Sequence, residues 1–547
     1  MKVALVQLNY IIGDYEGNAA KIMENIKKAK NTGADLVVFS ELSVTGYYPH
    51  DLLEKKEFIQ KAEETVKKIA GECKEIAAIV GAPRINENDR GKTLYNSAFF
   101  LAEGKIQSVH NKTLLPTYDI FDEYRHFEPN RDFHIVEYKG ERIAVTICED
   151  LWDEQPTSNE FGKNKLYQVS PMEELAQLNP GFMVNISASP FSYNQENWRK
   201  DVLVKKAKKY NLPIFYVNQT GAQTELIFDG GSVFINEQGE IVKELKYFKE
   251  DFQIVDTENP GETALQPKTD RIEKIHDALV LGIRDYFRKM GFRQATLGLS
   301  GGIDSAVTLV LAVRALGTEN VRVLLLPSKY SSDHSVEDAR QLAENLKIRY
   351  DIIKIQDAVD AFEKELAPLF EGTQTGIAEE NIQARTRGIY LMAISNKFGH
   401  ILLNTTNKSE CAVGYGTLYG DMNGGLAVLG DVYKTDVFKL ARFMNTNGEI
   451  IPENTIIKPP SAELRPDQKD TDSLPEYEIL DEILFSFIEQ NLSPGEIENK
   501  GFDPEVVKKV IRMVNINEYK RFQAAPILRV SSKAFGFGRK MPLVARY

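Results

Sequence analysis

Residues Leu297–Ala306 read LGLSGGIDSA, a short apolar run that breaks at SGGIDS and passes at once into a helical pattern from Ile303. A strand, a glycine-rich turn and a helix in that order open an α/β unit. The turn aims backbone N–H groups and a helix N-terminus at one point, a cradle that suits phosphate oxygens. It is not the lysine-containing phosphate loop, because the GxxxxGK[ST] spacing is missing. Working outward, Arg271–Met290 reads as a helix ahead of the strand, and VRVLLLP, a helix from Asp333 and YDIIKI follow it. This βαβαβ series predicts a doubly wound parallel sheet.

Upstream, DTENPGETALQPKTDR (256–271) is polar, carries Pro260, Gly261 and Pro267, and has neither helical nor strand period. We place the domain boundary there, giving residues 1–255, a linker at 256–270 and a second domain at 271–547. Two domains suit a chain of 547 residues. The first half is also α/β: KVALVQL, a helix through Lys21 to Asn31, ADLVVFSEL, a second helix and IAAIVGAP alternate along it. Hairpins are expected at Glu103-Gly104 and Gln238-Gly239, so its strands should run in mixed directions. The segment KPPSAELRPDQKDTDSLP (458–475) has no periodicity and holds Pro459, Pro460, Pro466 and Pro475, so it reads as a long loop, and we expect it to close over a site.

Composition sets the outer limits. With 42% hydrophobic and 27% charged residues the chain is that of an ordinary globular protein, and a formal charge of -12 offers no general attraction to nucleic acid. No apolar run reaches membrane-spanning length, so we expect a cytoplasmic protein with no membrane partner. Cys73, Cys148 and Cys411 are too scattered for a disulfide framework or a zinc site.

Three reactive side chains stand at predicted strand ends in the first half. Cys148 follows RIAVTI, Glu41 follows DLVVFS, and Lys112 follows QSVHN. Strand ends on one sheet edge converge. A carboxylate can take a thiol proton, and an ammonium can lower the thiol pKa and hold an oxyanion. The stretches that carry these residues, FSELSVTGYYPHDLL, HNKTLLPTYDIFDEYRHF and ICEDLWDE, resemble the three motifs of the nitrilase (carbon-nitrogen hydrolase) superfamily, in the version found at the front of NAD synthetases. The resemblance covers about the first 255 residues and implies an α-β-β-α sandwich. It also implies Cys148 as nucleophile, Glu41 as general base and Lys112 as oxyanion support, with Tyr118 and Ser189 at a bound glutamine. A basic residue is expected six positions after Ser189, where this chain has Gln195, and Arg199 is a candidate stand-in. Glu123 is a candidate for the extra acid near the lysine.

SGGIDS resembles the signature of the ATP pyrophosphatases, which release AMP and pyrophosphate after adenylating a substrate. EENIQARTRGIYLMAISNKFG, NTTNKSECAVGYGTLYGDMNGGLAVLGDVYKTDVFKLAR, PPSAELRPDQKDTDSLP and NEYKRFQAAP resemble motifs of the NAD synthetase family. What that implies is ATP binding by Ser300, Gly301, Gly302, Asp304, Ser305, Thr405 and Lys434. It also implies deamido-NAD binding by Asn381, Glu410 and Lys520. Mg²⁺ is expected on Asp304 and Glu410, since that ion is bound through one or two carboxylates plus phosphate oxygens. The expected reaction is amidation of deamido-NAD with ammonia drawn from glutamine, driven by ATP, in a homo-oligomer.

Overall fold

The structure is a computed structural model that describes residues 1–154, 166–466 and 468–545. The chain divides into two compact units, Met1–Lys268 and Thr269–Tyr547.

Two six-stranded sheets build the first unit. One runs in the spatial order Asp251–Asp256, Lys2–Gln7, Leu36–Val38, Ala77–Ile85, Leu94–Ala102 and Lys105–Asn111. The other runs Ile241–Glu244, Val233–Ile235, Ile214–Asn218, Phe182–Ser187, Glu141–Ile147 and Val136–Tyr138. Parallel pairs lie at the centre of each sheet and antiparallel pairs at the rims. The expected mixture of directions is therefore present, as are hairpins at Glu103-Gly104 and around Gln238-Gly239.

Residue alternation along the strands decides the layering. Val3, Leu5, Leu36, Val38, Ile79 and Phe100 face Val145, Ile147, Phe182, Val184, Phe215 and Val217 of the other sheet in a shared core. Their neighbours Ala4, Val6, Val37, Ala78 and Val80 point the opposite way, onto Ile22 and Ile26 of the helix Tyr15–Asn31 and Val66 and Ile69 of the helix Lys56–Ala70. On the outer face of the second sheet, Ala144, Met183 and Ile214 pack on Met172 and Leu175 and on Leu203 and Ala207. Four layers result, α-β-β-α. The helix Tyr15–Asn31 starts six residues earlier than its apolar period suggests, because Asp14 caps it by accepting from the Gly17 N–H at 2.9 Å.

Residues 257–268, polar and read as linker, lie against this unit. The Ala264 carbonyl accepts from Glu244 N–H at 2.9 Å, and the Gln266 N–H donates to the Glu244 carboxylate at 3.0 Å.

The second unit holds a five-stranded sheet in the order Arg349–Ile352, Val321–Leu325, Ala295–Gly298, Ile401–Asn404 and Leu426–Ala427, with every pair parallel. The helix Arg271–Met290 has the predicted ends, set by an Asp270 cap and by Gly291 at φ +78°. Strand order reverses between Ala295–Gly298 and Ile401–Asn404. In an open parallel sheet that reversal leaves a crevice at the carboxyl ends of the two strands, where ligands bind. The SGGIDS turn leaves one of those strands and Thr405 the other. Gly301 is held at φ +83°, and a Cβ there would lie 2.1 Å from the Ser335 carbonyl oxygen, so both conformation and space demand glycine. No helix among the described residues is long and apolar enough to cross a membrane.

Candidate active site

In the first unit the three strand ends converge on a dry cluster. Lys112 Nζ donates to Glu41 Oε1 at 2.8 Å and to Glu123 Oε1 at 2.8 Å, and all three side chains are buried. Glu41 is held further by Asn96, whose amide donates to Oε1 at 2.7 Å, and by the Ala188 N–H, which donates to Oε2 at 3.0 Å. Tyr47 donates its hydroxyl to Glu123 Oε1 at 2.8 Å. Gly81 makes room for the turn that carries Glu41, since a Cβ there would lie 2.3 Å from Leu42 N. Burial works against the Lys112 ammonium, but Glu123 and Glu41 outweigh it and hold its pKa above the ordinary lysine range. Glu123 is pushed up by burial, partly opposed by Lys112.

Cys148 follows directly on the strand Glu141–Ile147, and its backbone is left-handed at φ +43°. For a residue with a Cβ that conformation is strained, as expected of an elbow that presents a side chain outward from a strand end. Burial and the Glu41 carboxylate push the thiol well above its usual pKa, against the pull of Lys112.

Two neighbours of the cysteine, not singled out by sequence reasoning, fix the surroundings. Asp150 accepts from the backbone N–H groups of Thr113 at 3.0 Å, Leu114 at 2.8 Å and Ile147 at 3.0 Å, tying the lysine's loop to the cysteine's elbow. Glu149 accepts from Tyr118 Oη at 2.9 and 3.0 Å and from Tyr167 Oη at 2.9 Å, and burial pushes its pKa up to about 7. Tyr118 thus sits beside the thiol's neighbour. The Ser189 N–H donates to Asn218 Oδ1 at 2.9 Å, at the end of the strand next to the cysteine's own. Arg199, the candidate stand-in for the missing base, forms a buried double hydrogen bond with Asp229 at 3.0 and 2.8 Å, so its charge is spent on a neighbouring carboxylate.

In the second unit the crevice is a cleft of about 310 Å³ lined by Ser300, Gly302, Asp304, Ser305, Thr405, Glu410 and Lys434. Lys434 Nζ donates to Asp304 Oδ2 at 2.5 Å and to Glu410 Oε1 at 3.2 Å, and Asn407 Nδ2 donates to Asp304 Oδ1 at 2.8 Å. Burial raises the Glu410 carboxyl to about 8 despite Lys434. Burial would lower Lys434, yet Asp304 and Glu410 hold it above the ordinary range. Gly301 lies in the turn behind the lining. Asn381 and Lys520 do not line the cleft: Asn381 Oδ1 accepts from Thr417 Oγ1 at 2.7 Å, and Lys520 Nζ donates to the Gly414 and Gly416 carbonyls at 2.7 Å each. The segment from Lys458, read as a loop over a site, contributes Lys458, Pro459, Pro460, Ser461, Glu463 and Leu464 to the cleft wall. Glu463 accepts from Ser335 Oγ at 2.7 Å, and Lys458 pairs with Asp338 at 3.0 Å. Asp467 of that segment lies outside the described residues.

A family model described as carbon-nitrogen hydrolase matches residues 2–260, and one described as NAD synthase matches residues 275–524. A glutamine-dependent NAD(+) synthetase of Synechocystis sp. is 46% identical, aligned over 100% of this chain and 99% of its own length. The chain belongs to the glutamine-dependent NAD(+) synthetases. Another, from Thermotoga maritima, is 41% identical over 100% of this chain and 99% of its own. The solved glutamine-dependent NAD+ synthetase of Acinetobacter baumannii, in complex with adenosine diphosphate, is 40% identical with a TM-score of 0.78, covering 99% of this chain and 98% of that one. The enzyme from Cytophaga hutchinsonii shares the fold at 21% identity, with a TM-score of 0.83 over 100% of this chain and 98% of that one. Membership makes this chain an enzyme with a nitrilase-type unit and an NAD synthetase unit.

Asp150 has a measurable part in this arrangement. Asp150→Ala strips the acceptor from three buried N–H groups, each worth ~1–3 kcal/mol when left unpaired. The urea transition of the first unit should shift down by at least ~2 kcal/mol, and by less in Asp150→Asn, whose Oδ1 still accepts. An unshifted transition in the alanine variant would show that Asp150 does not tie the two loops.

Proposed function

We propose that the first unit hydrolyses glutamine at Cys148, Glu41 and Lys112, and that the second uses ATP to activate deamido-NAD for attack by the ammonia released. The observation that carries this reading is Lys112 held at 2.8 Å from both Glu41 and Glu123 in the same buried cluster as the strained Cys148. Glu41 takes the thiol proton as Cys148 Sγ attacks the glutamine carboxamide carbon. The Lys112 ammonium is assigned to the support of the oxyanion. Ammonia leaves with a proton returned through Glu41, and water cleaves the thioester to glutamate. Tyr118 and Ser189 are assigned to the bound glutamine. Glu149 offers a carboxylate to the substrate's α-ammonium, since it is adjacent to the nucleophile and already shares a hydrogen bond with Tyr118.

In the second unit the turn of Ser300, Gly301, Gly302 and Ser305, with Thr405 and Lys434, is assigned to the ATP phosphates. Asp304 and Glu410 supply two hard carboxylate oxygens that face each other across one ammonium, a donor set that fits Mg²⁺. When bound there, Mg²⁺ would neutralise charge on the phosphates as pyrophosphate departs. The nicotinic carboxylate of deamido-NAD attacks the α-phosphorus, and ammonia then displaces AMP from the adenylate to give NAD. Asn381, Glu410 and Lys520 are assigned to deamido-NAD. The proline-bearing segment from Lys458 excludes water from the adenylate by its place in the cleft wall.

The two assignments separate by nitrogen source. Cys148→Ala should lower glutamine-driven NAD formation by on the order of 10³-fold or more, while leaving the rate with ammonium chloride within about twofold. Equal loss with both sources would overturn the division of labour. Asp304→Ala should instead abolish synthesis from either source, and a retained ammonia-driven rate would remove Asp304 from the ATP site.

Glu149 sets a pH dependence. Its carboxyl is neutral below about 7 and ionised above it, and only the ionised form attracts an α-ammonium. The KM for glutamine should therefore fall as pH rises through that value. In Glu149→Gln it should be pH-independent there and roughly 10- to 100-fold higher, the worth of a charge-assisted hydrogen bond. A variant with the same KM profile as the unsubstituted enzyme would rule the contact out.

A further inference from the structure

His126 stands apart from the chemistry described above. It is 92% buried by its 8% exposure, yet its Nε2 has no hydrogen-bond partner. That nitrogen points at two carboxylates, Asp51 Oδ1 at 3.5 Å and Glu54 Oε1 at 3.8 Å, and the three ligand atoms all lie within 4.8 Å of one another. The other ring nitrogen is engaged: Nδ1 and Tyr48 Oη are 2.7 Å apart, and Tyr48 Oη also lies 3.3 Å from the Asp122 carbonyl oxygen. The tyrosine proton can go to the Asp122 carbonyl, which can only accept, or to Nδ1. In the first arrangement Nδ1 carries the ring hydrogen and donates it to Tyr48, and Nε2 directs its lone pair at the carboxylates.

In that tautomer Nε2 and the two carboxylates are three donors that a cation between them would satisfy together. A hydrogen bond at Nδ1 that fixes the tautomer is the usual companion of a metal-binding histidine. We propose that Asp51, Glu54 and His126 form a binding site for a divalent ion of the zinc class. One imidazole with two carboxylates suits a borderline ion better than Mg²⁺. Ligands about 2.0–2.1 Å from a tetrahedral zinc lie about 3.3 Å from each other, so the nitrogen-to-oxygen distances of 3.5 and 3.8 Å need only a small contraction. Arg125 Nη2, 3.0 Å from Asp51 and 3.7 Å from Glu54, now supplies the positive charge. Its side chain is half-exposed, and such an ion pair contributes little, so it yields readily to a metal. The ion would clamp the turn His50–Glu54 to the turn Glu123–Arg125, whose first residue pairs with Lys112.

The test is zinc binding by the full chain, titrated with zinc chloride alone against a competing chromophoric chelator. Asp51→Asn/Glu54→Gln changes only exposed side chains, and its unaltered melting temperature in the absence of metal would show that it folds. The unsubstituted chain should bind one zinc equivalent more than this variant and more than His126→Gln. It should also gain thermal stability with zinc that both variants lack, and a large excess of magnesium chloride should not remove either difference. Equal stoichiometry in all three chains, with zinc held elsewhere or not at all, would overturn the site.

Discussion

An ammonium withdrawn from water costs several kcal/mol unless opposite charges surround it, and this chain meets that cost at both candidate sites, as it does at Lys408 between Asp431 and Glu489. Lys112 has 0% of its side chain exposed and sits between Glu41 and Glu123, while Lys434 has 3% exposed and sits between Asp304 and Glu410. In each case one of the carboxylates, Glu41 for Lys112 and Asp304 for Lys434, comes from a distant point in sequence, so neither cluster is complete until the sheet that carries it has formed. The architecture follows from that requirement. Parallel central strands put several chain ends at one edge, and turns leaving that edge supply the charged groups.

The same device gives different chemistry because its exposure to ligand differs. Around Lys112 the site is buried, and burial with the Glu41 carboxylate pushes the Cys148 thiol upward, so in our proposal Glu41 takes its proton during attack. Proton transfer is then confined to groups whose positions are already fixed by Asn96, Ala188 and Tyr47. Lys434 instead faces a cleft, and the Glu410 carboxyl beside it holds a proton up to about 8. Such a group changes its charge when another charge arrives, which suits the polyphosphate site we propose there. A site of the first kind favours one precise transfer, and one of the second favours exchange.

The alternation of KVALVQL and RIAVTI, the helix Arg271–Met290 and the SGGIDS turn were legible because each depends on residues near one another in the chain. Cys148, Glu41 and Lys112 were legible as strand-end residues and by resemblance. Asp150 and Asn96 were not, since their meaning lies in hydrogen bonds to partners 37 and 55 residues away, and nothing in their local sequence marks them. Glu149 sat in plain view beside the nucleophile, and the adjacent acid could have been read as a second polar contact for substrate. Arg199 shows the opposite failure. A basic residue at a plausible spacing was offered to the glutamine pocket, but spacing cannot reveal that Asp229 lies opposite and takes both of its terminal nitrogens. The polar stretch 257–268 was read as a linker because it lacks period, and its backbone pairing at Ala264 is invisible to side-chain pattern.

The SGGIDS turn and the Cys148 elbow also differ in which residue bears the left-handed backbone. In the second unit Gly301 adopts φ +83° without penalty, because the turn works through backbone N–H groups and needs no side chain there. In the first unit the residue at φ +43° is Cys148, the residue we assign as nucleophile. Glycine would relieve ~1–2 kcal/mol of strain at that position but would remove the thiol. The strain must therefore be held by the surroundings, and Asp150, which grips the N–H of Ile147 on one side and the lysine loop on the other, is placed to hold it. A local rule is broken where the chemistry requires the side chain, and a buried carboxylate that takes no part in bond-making keeps the break in place.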